Sequence, residues 1–221
     1  MANNVSTPPT PAQVRREREI KERREAILDA ARDVFFAKGL HSATVDDVAA
    51  QAQIAKGTVY LYFSSKEELV AGLLLRGLDL LVESLGRAYD EGADLTAETR
   101  LRNLALAYLT FSREQPDYFR LIMAFDRGQF QESISPELYS SIFDRSLAGL
   151  RWIIRAMEQG IDDKEFGPGS ARGRAGMMWA ALNGVLVLFG HPLRRALLET
   201  ELEPLYRGVL DMILRDLQAT A

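Results

Sequence analysis

Apolar residues recur along the 221-residue chain at intervals of three and four, the pattern of an α-helix with one buried face. The clearest stretches predict helices over residues 15–38, 66–89, 98–115 and 136–160. No stretch alternates apolar and polar residues as a half-buried strand does, and no internal repeat is present. The pattern therefore predicts an all-α fold.

Capping residues mark where several of these helices begin and end. Thr96 is expected to cap a helix that stops before Pro116, where a shorter helix begins. Ser135 and Pro136 form a helix start, with serine as the N-cap and proline at the first helical position. We expect that helix to close at Gly160.

The last two predicted helices differ in their apolar patterns. Within residues 173–190, the run from Met177 to Phe189 is apolar on nearly every side, but it is shorter than the roughly 20 residues of a membrane span. We interpret it as a helix that is buried from several sides. The final helix carries a single apolar stripe, formed by Leu198, Leu202, Leu205, Val209, Ile213 and Leu217. These two helices either pack within one monomer or form a four-helix seam between two copies.

Residues 44–66 predict two short helices that are joined by a tight turn. Thr44 is expected to cap the first helix, with Asp47 as its partner in the first turn. Ile54 is expected to fill the turn, and residues 56–63 form the second helix. Small residues at the crossing and an apolar plug in the turn suit two helices that pack at a steep angle.

A third element follows directly, where Ser65 and Glu68 form a capping-box pattern. The helix behind it, to Tyr89, is too long and too apolar to serve a small three-helix domain alone. We interpret it as a connector between two domains. The predicted organisation is a disordered tail at 1–14, a helix-turn-helix domain at 15–66 and a second helical domain at 67–221.

The stretch LHSATVDDVAAQAQIAKGTVYLYFSSKEELV resembles the helix-turn-helix of the tetracycline-repressor-like (TetR) family of bacterial transcription regulators. The matching residues are Gly39, Thr44, Val48, Ala49, Lys56, Gly57, Thr58, Tyr60, Tyr62, Phe63, Lys66, Glu67 and Leu69. Gln53 stands where the family usually has a turn glycine, and Ala55 where a serine or threonine often caps the second helix. A left-handed glutamine or a lost cap would each cost about 1 kcal/mol.

The resemblance implies a homodimer that binds an operator in double-stranded DNA, with half-sites about 10 bp apart or multiples of that. The residues that it implies as DNA contacts are Thr44, Lys56, Gly57, Thr58, Tyr60, Tyr62 and Lys66. Thr44 and Lys66 would meet phosphates, whereas Val59 and Phe63 would hold the recognition helix at its angle. For Tyr62, a packed surface aromatic is the alternative.

Aromatic residues are concentrated in the second domain, where they form either ordinary core or a ligand pocket. Members of the resembled family usually bind a small effector there and pair through their last two helices. The candidate pocket residues are Tyr108, Phe111, Phe119, Met123, Trp152, Trp179 and Asn183, with Arg120 as a further polar anchor. We expect an apolar or aromatic effector. The segment MWAALNGVL also resembles a C-terminal signature of one branch, with Asn183 in place of histidine.

The net charge of −4 does not exclude DNA binding, which depends on local positive potential. Six basic residues fall within ten positions ahead of the helix-turn-helix: Arg15, Arg16, Arg18, Lys21, Arg23 and Arg24. Interleaved glutamates are equally consistent with a solvated helix. The position next to the helix-turn-helix favours phosphate contacts by some of the arginines.

The chain has no cysteine and only two histidines, so thiolate and histidine-based sites are excluded or improbable. No metal, cofactor or catalytic set is predicted. Asp162, Asp163 and Glu165 lack metal-site spacing and are interpreted as a solvated turn. The N-terminus lacks the apolar stretch of a signal peptide, so we expect a cytoplasmic protein. The alternatives are a constitutive dimeric regulator without effector, and a helical ligand carrier or enzyme without DNA function.

Overall fold

The computed structural model describes residues 10–126 and 134–219 of the chain. These residues form ten α-helices and contain no β-strand, so the predicted all-α fold is confirmed. The helices are α1 (Pro11–Lys38), α2 (Val45–Gln51), α3 (Lys56–Tyr60), α4 (Lys66–Tyr89), α5 (Ala97–Glu114), α6 (Pro116–Asp126), α7 (Pro136–Asp162), α8 (Ala171–Phe189), α9 (Pro192–Leu198) and α10 (Leu202–Ala219).

Residues up to Leu73 form one compact unit, and residues from Leu74 form a second. The first unit extends further along the chain than the predicted domain end at residue 66. The difference arises because Leu69 and Leu73, in the first turns of α4, are fully buried. The core of this unit also contains Ile27, Ala31, Phe35, Val48, Val59 and Phe63.

α1 begins at Pro11, so the predicted disorder of residues 11–14 is wrong. Thr10 caps the helix: its side-chain oxygen accepts a hydrogen bond from the Gln13 backbone N–H at 3.3 Å. The Gln13 side chain in turn accepts one from the Thr10 backbone N–H at 2.7 Å, which completes a capping box. Pro11 occupies the first helical position, where a missing N–H has little cost. Pro11 therefore starts a helix within the segment that was predicted to be disordered.

α4 begins at Lys66, and Ser65 caps it by accepting a hydrogen bond from the Glu68 backbone N–H at 3.1 Å. The Glu68 carboxylate accepts hydrogen bonds from the backbone N–H and the hydroxyl of Ser64, at 2.6 and 2.7 Å. In a full capping box it would accept from Ser65 instead. Of the two hydrogen bonds of the predicted capping box, the one to the Ser65 hydroxyl oxygen is present. The other is replaced, because the Glu68 carboxylate accepts from Ser64 and not from Ser65.

A buried arginine connects the end of α4 to α5. Arg100 is only 7% exposed, and its guanidinium donates to the carbonyl oxygens of Tyr89 (2.6 Å), Asp90 (3.0 Å) and Ala93 (2.8 Å). The guanidinium carbon also lies 4.3 Å from the centre of the Tyr89 ring. Because the last carbonyl groups of a helix have no partner within it, Arg100 satisfies groups that would otherwise be orphaned.

In the second unit, α8 packs against α7 and α10, and α5 contacts α7, α8 and α10. Tyr206 of α10 is fully buried, and its hydroxyl donates to the Ala105 carbonyl oxygen of α5 at 2.9 Å. Burial raises the pKa of the Tyr206 hydroxyl well above its ordinary value, so this group stays a hydrogen-bond donor. The other large, fully buried side chains of this unit include Leu101, Leu104, Met157, Met178 and Leu214.

The turn between α7 and α8 packs against neighbouring elements. Phe166 is buried, and a Cβ atom on Gly160 would lie 2.1 Å from its ring, so only glycine fits there. The Glu165 carboxylate accepts hydrogen bonds from the backbone N–H groups of Ala97 (3.1 Å) and Glu98 (3.3 Å). The interpretation of Glu165 as part of a solvated turn is therefore wrong, because it caps the start of α5.

The last helix is expected to begin after Pro204 or a turn earlier, and α10 begins at Leu202 accordingly, whereas Leu198 of the predicted stripe lies on a separate helix, α9. α9 ends at Leu198, and Glu199 adopts a left-handed conformation with φ of +46° before α10 begins at Leu202. The sequence pattern predicted that Leu198 belongs to the apolar stripe of the last helix, and this is wrong because Leu198 ends α9. Within α9 no residue is buried, and Leu193 and Leu197 are largely exposed.

α8 is the most apolar segment of the second unit, with Met178, Leu182 and Leu186 buried. Of the described helices, none is by itself both long enough and apolar enough to cross a membrane. α8 and α9 reach such a composition only as a pair, and the pair is bent by 106°.

We expect Arg100→Ala to destabilise the second unit by about 3 kcal/mol, because three carbonyl oxygens lose a charged donor. The matched control is Arg102→Ala on the same helix, whose side chain is part-exposed and pairs with Glu98 and Asp211. Loss of such a surface pair costs about 0–1 kcal/mol. Urea unfolding followed by circular dichroism measures both variants, and equal losses would contradict the role given to Arg100.

Candidate nucleic-acid interface and ligand cavity

The start of α2 is held by Thr44 and Asp47. The Thr44 hydroxyl oxygen accepts from the Asp47 backbone N–H at 3.2 Å, and the Asp47 carboxylate accepts from the Thr44 backbone N–H at 3.0 Å. The Lys38 ammonium donates to the same carboxylate at 2.7 Å. The hydrogen bond from Lys38, and those from Thr44, lower the pKa of Asp47 to about 2. The carboxylate therefore stays charged at neutral pH, and the predicted cap is present.

The turn between α2 and α3 carries the two departures from the family pattern. Gln53 adopts the left-handed conformation, with φ of +55°, where a glycine would be unstrained. Ala55 is the N-cap of α3 and its side chain makes no capping hydrogen bond. The Ile54 backbone N–H donates to the Ala49 carbonyl oxygen at 3.0 Å, which closes the turn. The turn is therefore formed despite both departures.

α3 is anchored by two side chains on its inner face. Val59 and Phe63 are buried in the first unit. The helix ends at Tyr60, earlier than the predicted end at Phe63, although Phe63 N–H still donates to the Val59 carbonyl oxygen at 3.0 Å. Lys56, Gly57 and Tyr60 are exposed, so one side of α3 is open to a partner.

The two lysines of the motif have partners within the first unit. The Lys56 ammonium lies 2.8 Å from the Asp46 carboxylate, and this hydrogen bond raises the lysine pKa. The Lys66 ammonium donates to the His41 carbonyl oxygen at 3.3 Å and lies 6.0 Å from the centre of the Phe35 ring. Thr58 and Tyr62 are half-buried. Lys56 therefore stays cationic, and the side chains of both lysines are held near the surface of the motif.

The basic segment of α1 divides into two faces. Arg16, Ile20 and Arg23 continue the face on which Ile27 is buried. They line a cleft with Leu61 and Tyr62, and Glu19 and Glu22, the partners of Arg15 and Arg18, lie at the same cleft. Within the described residues, Arg16 and Arg23 make no ion pair or hydrogen bond.

The other arginines of this segment are engaged. Arg15 pairs with Glu19 at 3.7 Å, and Arg18 pairs with Glu22 at 2.7 Å. The Arg24 guanidinium carbon lies 4.5 Å from the centre of the Phe63 ring. The cationic groups left available on this segment therefore include the two that face Tyr62.

The second unit contains a cavity of about 260 Å³. Its wall is formed largely by aliphatic side chains from α4, α5, α6, α7 and α8. They include Leu78, Leu81, Leu85, Leu104, Ile122, Leu150, Ile153 and Leu182. An apolar concave site with few polar groups is the usual form of a small-molecule pocket.

Three of the seven candidate pocket residues line this cavity: Tyr108, Met123 and Trp179. Asn183 is not among the lining residues, but its side-chain oxygen accepts a hydrogen bond from the hydroxyl of Tyr108, which is, at 3.1 Å. The Phe119 ring packs on that of Tyr108, with 5.9 Å between centroids.

The other candidates lie outside the lining. Phe111 is buried in the core, and Trp152 packs against Tyr89 with 5.0 Å between ring centroids. Arg120 is exposed and pairs with Asp117. The lining residues that were not predicted from the sequence are the aliphatic side chains of the wall and Arg172. The aliphatic ones were missed because leucines at helical spacing follow the same pattern in a core and around a cavity.

Residues 27–73 match a family model described as bacterial regulatory proteins, tetR family. The transcriptional repressor KstR2 of Mycobacterium tuberculosis is 30% identical over 150 residues, which cover 68% of this chain and 72% of that protein. The transcriptional activator FasR of Mycolicibacterium smegmatis is 36% identical over 105 residues, 48% of this chain and 47% of the relative.

Solved structures share the fold. A tetR-family regulatory protein from Rhodococcus RHA1 superposes with a TM-score of 0.67 at 23% identity, covering 88% of this chain and 96% of that one. FadR from Bacillus subtilis, solved in complex with stearoyl-CoA, gives a TM-score of 0.66 at 22% identity, with coverages of 87% and 98%. At these identities the likeness concerns the fold alone.

An anchored recognition helix with one open face, joined in one chain to a helical unit, defines a helix-turn-helix DNA-binding protein. Within that class, the chain belongs to the TetR family, as the KstR2 match and the family model establish. It is a DNA-binding transcriptional regulator.

We expect Gly57→Ala to preserve the fold and to weaken DNA binding. The backbone of Gly57 is not in the left-handed conformation, and a Cβ atom there would meet nothing within 4 Å. Alanine therefore fits at this position without backbone strain or a steric clash. Stability should stay equal or rise by up to about 1 kcal/mol, because alanine favours a helix. Affinity for DNA should fall about tenfold or more, if DNA approaches this backbone closely.

Urea unfolding and gel-shift titration with DNA flanking the gene measure the two effects. Gly92→Ala is the control, since a Cβ atom there meets only the Asp90 carboxylate at 3.8 Å. Unchanged affinity of Gly57→Ala would show that DNA does not approach this face of α3.

Proposed function

We propose that the chain is a homodimeric repressor that a small apolar or aromatic effector releases from its operator. The observation that carries the effector part is the apolar cavity in the second unit. α4 supplies Leu69 and Leu73 to the core of the first unit and Leu78, Leu81 and Leu85 to the cavity wall. A ligand that favours one arrangement of this helix would bias the protein between two states.

The relatives support the proposal in different degrees. KstR2, with the longer match of the two, is named a repressor, whereas FasR is named an activator. FadR of Bacillus subtilis was solved with stearoyl-CoA, so a protein with this fold accommodates a small molecule. A regulator that binds operator DNA would act in the bacterial cytoplasm, where the chromosome lies.

The proposed DNA-binding surface is the open side of α3 together with the start of α2 and α4. Its members are Thr44, Lys56, Gly57, Thr58, Tyr60, Tyr62 and Lys66. The exposure of Lys56, Gly57 and Tyr60 supports base-edge and backbone contacts by α3. Lys56 would exchange its ion pair with Asp46 for a phosphate, which keeps the ammonium partnered in both states.

We further propose that Arg16 and Arg23 of α1 extend this surface. Both are exposed, both lack an ion-pair partner within the described residues, and both share a cleft with Tyr62. Arginine forms two hydrogen bonds to a phosphate at once, which suits it to this role. The excess of acidic residues in the whole chain therefore does not weaken the local attraction.

We expect Arg16→Ala combined with Arg23→Ala to reduce the salt dependence of DNA binding. Each lost phosphate contact lowers the slope of log affinity against log salt by about 0.9, so a dimer would lose about 3 to 4. The matched control is Arg15→Ala combined with Arg18→Ala, which removes the same two charges from arginines that already pair with Glu19 and Glu22. Gel-shift titrations between 50 and 200 mM salt, about the range over which such contacts are felt, measure the slope. Equal slopes for the double variant and the wild type would exclude these contacts.

Dimerisation is proposed through α8 and α10. Their outer faces expose Met177 and Met212, each 64% accessible, next to Gly184 and Gly208. A Cβ atom on either glycine would meet nothing within 4 Å, so two copies could approach closely there. Exposed apolar surface of this kind marks an interaction site. Sedimentation equilibrium should show a dimer, and a monomer at micromolar concentration would exclude it.

The effector proposal is tested by thermal shift with a panel of apolar and aromatic compounds, because a ligand that binds the folded state raises its melting temperature. Compounds that stabilise the protein should also release it from DNA in a gel shift. A constitutive regulator would bind DNA but respond to no compound. A carrier or enzyme without DNA function would form no specific complex with the flanking DNA.

A further inference from the structure

The cavity wall offers a ligand very few polar groups. Of its described lining residues, those with a polar side-chain group are Tyr108, Ser146, Arg172 and, through its indole N–H, Trp179. The Tyr108 hydroxyl donates to the Asn183 side-chain oxygen at 3.1 Å, and the Ser146 hydroxyl donates to the Ile142 carbonyl oxygen at 2.9 Å. Both hydroxyl protons are thus already used within the protein. A ligand with polar groups along its length would leave them unpaired, which costs free energy.

Arg172 is different from these two residues. It lies in the first turn of α8, it is exposed at the cavity, and it is the charged member of the lining. Within the part of the chain that the structure describes, it makes no hydrogen bond or ion pair. Arg174, two residues on, donates to the carbonyl oxygens of Gly167 and Pro168 instead. The cavity therefore has one cation whose donors are free.

The two ends of the cavity differ in charge, because Arg172 lies at one end of it. Arg172, Trp179 and Leu182 all line it from α8, and they span about 15 Å along that helix at 1.5 Å per residue. The wall is cationic at the N-terminal end of α8 and uncharged towards Leu182, where the Tyr108 hydroxyl already donates to Asn183. An elongated molecule with one polar end would match this order.

We propose that the effector is an elongated apolar molecule with a single anionic end, and that Arg172 binds that end. The inference rests on the proposed effector function and names its ligand class. The anion is either a free carboxylate or the phosphates of a thioester carrier, and in both cases the guanidinium supplies charge-assisted hydrogen bonds. The volume of 260 Å³ lies just below the usual range of about 300–1,000 Å³, which favours a medium-length chain.

The experiment compares decanoate, decanol and decanoyl-CoA, which share a ten-carbon chain and differ in the end group. Calorimetric titration of the full chain gives affinities, and a gel shift with the flanking DNA gives release. Arg172→Gln removes the charge and keeps the length of the side chain. Arg151→Gln is the matched control, an exposed arginine on α7 outside the cavity lining. Leu147→Trp fills the cavity and shows whether binding takes place there.

We expect an anionic compound to bind roughly tenfold or more tightly than decanol, and Arg172→Gln to remove that difference. Arg151→Gln should preserve it, and Leu147→Trp should abolish binding of every compound. Tighter binding of decanoyl-CoA than of decanoate would identify the thioester carrier as the source of the anion, and the reverse would identify the free carboxylate.

Two outcomes would contradict an anionic effector, and only the second would also contradict the proposed effector function. If decanol binds and releases DNA as well as the anions do, the effector function stands and the anionic ligand is excluded. If no compound binds and none releases DNA, while the thermal-shift panel also finds no ligand, the effector function fails as well. Circular dichroism of each variant verifies that the comparison concerns folded protein.

Discussion

Burial of the apolar face of α4 is the constraint on which the rest of the structure depends. Leu69 and Leu73 complete the core under the recognition helix, while Leu78, Leu81 and Leu85 form part of the cavity wall. The 24 residues of this helix span about 36 Å, so it is far longer than a three-helix head requires. Under the proposed effector function, this uninterrupted helix is the element that would connect occupancy of the cavity to the DNA-binding unit. Arg100 then fixes where it ends, through the carbonyl groups of its last turn.

Local signals in the sequence predicted the fold well because they act over one helical turn. Thr44 with Asp47, and Ser135 before Pro136, cap helices where the pattern placed them. Gln53 is left-handed, as its position in the turn required. The break at Glu199 was missed because Leu198 and Leu202 are four residues apart, a spacing that also fits one continuous helix.

What the sequence could not predict depends on contacts between distant residues. Glu165 caps α5 across 67 and 68 positions, and Lys66 donates to His41 across 25. Which leucines face a cavity is likewise set by how helices pack, since a lining leucine and a core leucine follow the same period. The candidate DNA contacts were named through a resemblance to a family, and their roles remain predictions.

The cavity itself has an energetic consequence for regulation. Unfilled apolar volume costs about 24 cal/mol per Å³, so 260 Å³ corresponds to at most about 6 kcal/mol. That figure is comparable to the whole free energy of unfolding of a typical domain, about 5–15 kcal/mol. It is an upper bound, because water that enters the open end reduces it. Only the part of this free energy that differs between two arrangements of α4 can shift an equilibrium between them, so a ligand would act by filling the space better in one arrangement than in the other. Under the proposed effector function, the space left among these helices is where a ligand would act, and DNA binding by the motif at residues 44–66 is what it would control.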